Sequence, residues 1–204
     1  MAGELQLEQR QPLDGWADAL ATASSHALRI QVIPGCGVVN LRGGAPDQGL
    51  VTDVQRLFGL ELPLEPNRWH GDECFAAIWL GPDEWLLVVG DEEAGRIEEM
   101  LREARPMDPW LSVVDVSHSW TRISLAGPGV RDLLAKGCAL DLHPEVFPAG
   151  HCAQTILAKS RVLLRAVDRS SFEAWVRNSF ACYAAKWLLD ACAQLPVRES
   201  LLSD

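Results

Sequence analysis

The chain has 204 residues, enough for one large domain or two small halves, and its 48% hydrophobic content is that of a globular chain rather than a disordered one. A formal charge of −10 repels phosphate backbones, and Lys and Arg are scattered along the chain, which argues against a nucleic-acid partner. The longest apolar runs, such as "WLLVV" at 85–89, are far too short to span a bilayer.

Residues 1–27 are expected to form an N-terminal arm. "MAGELQLEQR" is acidic and polar, unlike a signal peptide, and "LDGWADALATASSH" suits a short helix or a segment laid on another subunit. From Leu28 an internal duplication begins. "LRIQVI" alternates like a strand, "PGCG" turns it, and "VVNLRG" continues as a second strand. "GAPDQGLVTDVQRLFG" follows as a helix with Leu50, Val54, Leu57 and Phe58 on one face and Gly59 at its C-terminal cap. The Pro-broken "LELPLEPNRWHG" connects to two strands, "CFAAIWL" and "EWLLVV", joined by a "GPD" turn. Asp91 then stands where it can cap "EEAGRIEEMLREA", with Ala94, Ile97, Leu101 and Ala104 facing inward.

The second copy repeats this order. "LSVVDV" and "WTRISLAG" read as strands, and "PGVRDLLAKG" as a short helix between Pro128 and Gly137. "CALDLHPEVFPAG" parallels the earlier connection, and "CAQTILA" and "RVLLRAV" form the next strand pair. Ser170 and Glu173 have capping-box spacing for a long final helix, lined by Phe172, Trp175, Val176, Tyr183, Ala184, Trp187, Leu188 and Ala191. Each half thus reads strand, strand, helix, strand, strand, helix. The expected fold is one α+β domain over 28–195, with halves at about 28–105 and 111–195, paired sheets covered by helices, and a tail at 196–204.

None of the six cysteines forms a C-x-x-C pair, so they read as mostly buried, reduced thiols of a cytoplasmic protein. His143, His151 and Cys152 lie close in sequence but match no standard zinc spacing. "SHSWTRISLAGPG" at 117–129 places two serines beside His118, yet on a strand His118 would project away from both hydroxyls, and the strand–Gly/Pro turn–helix pattern recurs in the first copy without them. G-x-G-x-x-G, the phosphate-loop pattern and G-x-S-x-G are absent. Asp115 and His118 suit a hydrogen bond that steadies a turn; an independent transferase would use the same pair in chemistry. Cys138 follows a helix C-terminus, which gives no help to a thiolate. No catalytic, cofactor or metal residue is therefore assigned. Among eight tryptophans, Trp79 and Trp85 on the strand pair are the candidates for a partner interface.

"AAIWLGPDEWLLV", "VVDVSHSWTRISLAGPGVRDLLAKGCALDLHPEVFPAGHCAQT" and "SFEAWVRNSFACYAAKWLLDA" together resemble the gamma subunit of heterotetrameric sarcosine oxidase, from about Leu28 to Leu195. The resemblance implies a noncatalytic subunit with a fold like the folate-binding domain of the aminomethyltransferase of glycine cleavage. It implies alpha, beta and delta partners, direct contact with alpha, and FAD, FMN, NAD and zinc held by those other subunits. The complex would oxidise sarcosine to glycine, hydrogen peroxide and formaldehyde, or methylenetetrahydrofolate when tetrahydrofolate is the co-substrate. Lys136-Gly137-Cys138 matches only the first three letters of the K-G-C-Y-x-G-Q-E signature of a related folate-dependent group. The alternative reading is a folate- or pterin-binding protein on the same fold.

Overall fold

The computed structural model describes residues 11–24, 27–44, 48–90 and 93–195. In chain order these form α1 (Ala17–Ala23), β1 (Arg29–Ile33), β2 (Gly37–Arg42), α2 (Gln48–Phe58), β3 (Trp69–Gly71), β4 (Ala76–Gly81), β5 (Glu84–Val89) and α3 (Glu93–Ala104). The second half follows with β6 (Ser112–Asp115), β7 (Trp120–Ala126), α4 (Val130–Ala135), β8 (Cys152–Leu157), β9 (Ser160–Ala166), β10 (Ser171–Arg177) and α5 (Ala181–Ala193).

The strands make two five-stranded antiparallel sheets, ordered β3-β4-β5-β2-β6 and β8-β9-β10-β7-β1. The two orders match strand for strand, so the duplication is structural. Each half exchanges its first strand: β1 completes the second half's sheet, and β6 completes the first half's. The sheets meet along β3 and β8, where Trp69 N–H donates to Gly150 O at 3.1 Å and Cys152 N–H to Asn67 O at 2.9 Å.

Three apolar clusters define the layers. Helices α2 and α3 bury Leu50, Val54, Ile97 and Leu101 against the outer face of the first sheet. Helices α1, α4 and α5 do the same on the second, with Leu20, Leu133, Leu134 and Leu188. Between the sheets lie Val38, Ile78, Leu86 and Val88 from one side and Cys152, Leu163 and Trp175 from the other. The α+β expectation holds, with one strand more per half than the sequence pattern revealed.

Residues 171–177 are a strand, not the start of the final helix, and α5 begins only at Ala181. Phe172, Ala174 and Val176 enter the helix-side core while Glu173 and Trp175 enter the inter-sheet space, so the segment is buried on both faces and shows no alternation. Glu173 therefore caps nothing. Trp69–Gly71 inside the Pro-broken connection is the other strand that the pattern concealed.

Residues 11–24 are not laid outside the domain. Leu13 and Leu20 are buried in the second sheet's core, with α1 packed on β1 and α5. Asp91 and the 196–204 tail lie outside the described residues. Gly59 closes α2 as expected, with φ of 71° and its N–H donating to Gln55 O. In "LAGPG", Gly127 adopts φ of 127°, and a Cβ there would lie 2.5 Å from Ala27 O. The glycine serves a close backbone approach rather than a phosphate. Ala104 is exposed, so α3 turns inward only through Ala94, Ile97 and Leu101.

Candidate functional site

The chemistry-bearing side chains gather between the sheets. Trp120 and Arg122 of β7, Glu173, Trp175 and Arg177 of β10, and Arg165 of β9 all face this space by strand alternation. Arg165 clasps Glu173 through two bonds of 2.9 Å, from Nε and Nη2 to separate carboxylate oxygens. Arg122 reaches the same carboxylate through one nitrogen, 3.2 Å from each oxygen. Trp175 Nε1 donates to Glu173 at 3.1 Å. The three charged side chains are almost fully buried, at 5% exposure for Arg122, 0% for Arg165 and 2% for Glu173.

The aromatic rings shield these charges. The Arg122 guanidinium lies 4.6 Å from the Trp175 ring centre, Arg165 lies 4.5 Å from Trp69, and Arg177 lies 3.9 Å from Trp120. Such contacts favour a desolvated cation over an aromatic face. Trp120 also meets Trp175 edge-on.

Two cavities flank Trp120. The larger, about 640 Å³, is a cleft between strand ends, walled by Leu80, Leu86, Val116, Ile156 and Leu163 with Arg161 and Arg177 at its rim. The smaller, about 390 Å³, lies beside α1 and the β1–β2 turn and is bounded by Cys36, Trp120, Arg122 and Trp175.

The residues singled out from sequence do not converge there as a reactive set. Residues 117–119 form a 3₁₀ turn, not a strand. Asp115 accepts from both the N–H and the Oγ of Ser117, while Ser117 Oγ accepts from Val38 N–H at 2.9 Å. The pair that steadies this turn is thus Asp115–Ser117, and the His118 carbonyl accepts from Asn178. His143 is exposed beside Glu145. Cys152 is buried and donates to Arg68 O; burial pushes its thiol up to about 12. Among the described residues no group of three His, Cys, Asp or Glu side chains is placed to hold a metal ion.

The thiols are less buried than expected: Cys138 and Cys152 are buried, Cys36 and Cys192 half-buried, and Cys74 and Cys182 exposed. Trp85 is also not a free anchor. Its ring packs under the helices at 3% exposure, and its Nε1 donates to Pro63 O. Trp79 stays half-buried. Among the described residues the most exposed large apolar side chains are Met107 at 89% and Trp110 at 75%, both in the connection between the halves. The Pro-rich "RPMDPW" could have drawn attention to them as apolar residues in a turn.

His151 sits at the seam of the two sheets against the Arg68 guanidinium. Burial first, then the Arg68 charge, holds it below the ordinary histidine value of 6.5. The folded state then favours the neutral ring. Stability is therefore full above that value and declines as pH falls toward the folded-state pKa. Urea midpoints followed from about pH 7.5 to about 5.5 should fall for the wild type and fall less for His151→Gln. Equal slopes for the two proteins would remove His151 from the pH response.

Two face-to-face sheets with helices outside, built by duplication, have a counterpart among solved structures. Aminomethyltransferase T of the glycine cleavage system from Bartonella henselae matches with a TM-score of 0.55 at 14% identity, over 84% of this chain and 48% of that one, a likeness of fold. The sarcosine oxidase, gamma subunit family matches residues 42–194, and the chain belongs to that family. Relatives include sarcosine oxidase subunit gamma of Corynebacterium sp. strain U-96, 34% identical over 69% of this chain and 68% of the relative. The Arthrobacter sp. subunit gamma is 31% identical, with 91% of each chain covered. A chain of heterotetrameric sarcosine oxidase from Corynebacterium sp. U-96, solved with pyrrole 2-carboxylate, superposes with a TM-score of 0.83 at 29% identity, covering 91% of this chain and 95% of that one.

Proposed function

We propose that the chain is the noncatalytic gamma subunit of a heterotetrameric sarcosine oxidase and supports assembly of that complex. The observation that carries this reading is the family match over most of the chain together with the 0.83 superposition. The dispersed His, Ser, Asp and Cys side chains agree with a scaffold role. In this reading the alpha, beta and delta subunits perform the oxidative demethylation of sarcosine and hold FAD, FMN, NAD and zinc, with tetrahydrofolate as co-substrate. Among the described residues no helix is long and apolar enough to cross a membrane. We assign the complex to the cytoplasm.

The alpha subunit is the expected direct neighbour. Half-buried Trp79 remains one candidate anchor, and exposed Trp110 beside Met107 is the better placed, since a bare indole gains most from desolvation at an interface core. Co-expression with alpha, beta and delta tests the reading. The chain should co-purify with all three, and Trp110→Ala should weaken recovery of alpha by about tenfold or more without changing the isolated chain's unfolding midpoint. Sarcosine oxidase activity from this chain alone would refute the noncatalytic assignment. Unchanged recovery would remove Trp110 from the interface.

A further inference from the structure

The cavity beside α1 is chemically incomplete. The buried cluster holds two guanidinium groups and one carboxylate, and arginine stays charged in proteins. Arg165 takes the closer share of Glu173, and exposed Asp72 lies on its side of the cluster. Arg122 is left with the longer contacts, the Glu73 carbonyl at 2.8 Å and the Cys36 sulfur at 3.2 Å. Its Nε finds no acceptor among the described residues, and neither does Trp120 Nε1. Both side chains line the same cavity of about 390 Å³, a size that suits a small ligand. Both can only donate, so what they lack is an acceptor, and the surplus charge favours an anionic one. The remaining wall is largely apolar, from Val32, Pro34, Val38 and Trp175. Asp14 at the edge is exposed, and one of its carboxylate oxygens accepts from Gln11 N–H.

We propose that this cavity binds a small organic anion, a carboxylate carried on an apolar or aromatic body, with the carboxylate at Arg122 and Trp120 and the body against Trp175 and the β1–β2 turn. The site needs only this chain's own fold, so it stands or falls separately from the assembly reading.

Fluorine NMR of 4-fluorobenzoate added to the full chain tests it. The resonance should shift or broaden saturably, and inorganic phosphate should compete if the anion alone suffices for the Arg122 end. Neutral 4-fluorobenzamide should bind roughly tenfold to a hundredfold more weakly, because a charge-assisted bond is lost. Arg122→Met should weaken 4-fluorobenzoate to a similar extent. It leaves the balanced Arg165–Glu173 pair in place, and circular dichroism confirms its fold. Should that variant not fold, Cys36→Phe narrows the cavity while keeping Arg122, and it should also weaken binding. Arg161→Ala, at the rim of the other cleft, should change nothing. Equal affinity for benzoate and benzamide, no binding of either, or loss with Arg161→Ala instead of Arg122→Met would overturn the proposal.

Discussion

Glu173→Gln should cost roughly 3–5 kcal/mol of unfolding free energy, because it leaves two almost fully buried arginines without their carboxylate. The substitution keeps the side chain's size, so packing around Trp175 is retained and the effect is electrostatic. Arg165 loses two bonds of 2.9 Å to a carboxylate, and Arg122 loses its only anionic partner among the described contacts. Removing all three charges together, as Arg122→Met, Arg165→Met and Glu173→Leu, should cost far less than the single change and can even stabilise, since no charge is then desolvated. Urea unfolding of the wild type, the single variant and the triple variant reads both results. A loss below about 0.5 kcal/mol for Glu173→Gln, typical of a surface change, would mean that the trio is hydrated rather than enclosed.

Leu20→Ala should cost about 2–5 kcal/mol, the range for truncating a buried leucine. Leu20 is fully buried, and α1 rests on β1 and α5 through it. The rest of α1 is mostly exposed, so this one side chain supplies most of its anchoring. Thermal or urea unfolding of the full chain should show one destabilised transition. A separate early transition, with the main one unchanged, would show α1 to be an appendage that melts by itself.

The two substitutions fall where the sequence misled. Segments bracketed by turn residues or carrying a wet face were legible: β4 and β5 around their "GPD" turn, α2 with its Gly59 cap, and the β8–β9 pair all appear near their expected bounds, although β5 and β9 are buried on both faces. The first half's repeat unit could be traced because polar residues separate its elements. Residues 171–177 were not legible, because a strand covered by helices on one side and a second sheet on the other has no polar phase, and this one runs through the short turn at 178–180 straight into α5. There Phe172, Trp175 and Val176 fit a helical spacing equally well. A glutamate before an apolar run resembles a cap, and only the strand pairing to β7 and β9 shows it facing two arginines. Leu20 was missed for the opposite reason. Helix α1 buries a single leucine among alanines, too small a signal to separate it from an exposed arm. The cavity residues Arg122 and Trp120 come from a strand recognised as a strand, but their company is set by contacts distant in sequence. Cys36 lies 86 positions from Arg122.

The exchange of first strands between the sheets governs how the molecule can be made. A ribosome releases β1 long before β7, its only ladder partner among the described strands. The nascent N-terminal portion must likewise wait for β6 before its own ladder is complete. The N-terminal portion therefore cannot finish folding during translation of its own residues, and its exposed strand edges persist until β6 and β7 have emerged. Slow maturation dominated by distant contacts, and a dependence on chaperones at high synthesis rates, are the natural consequences of this topology.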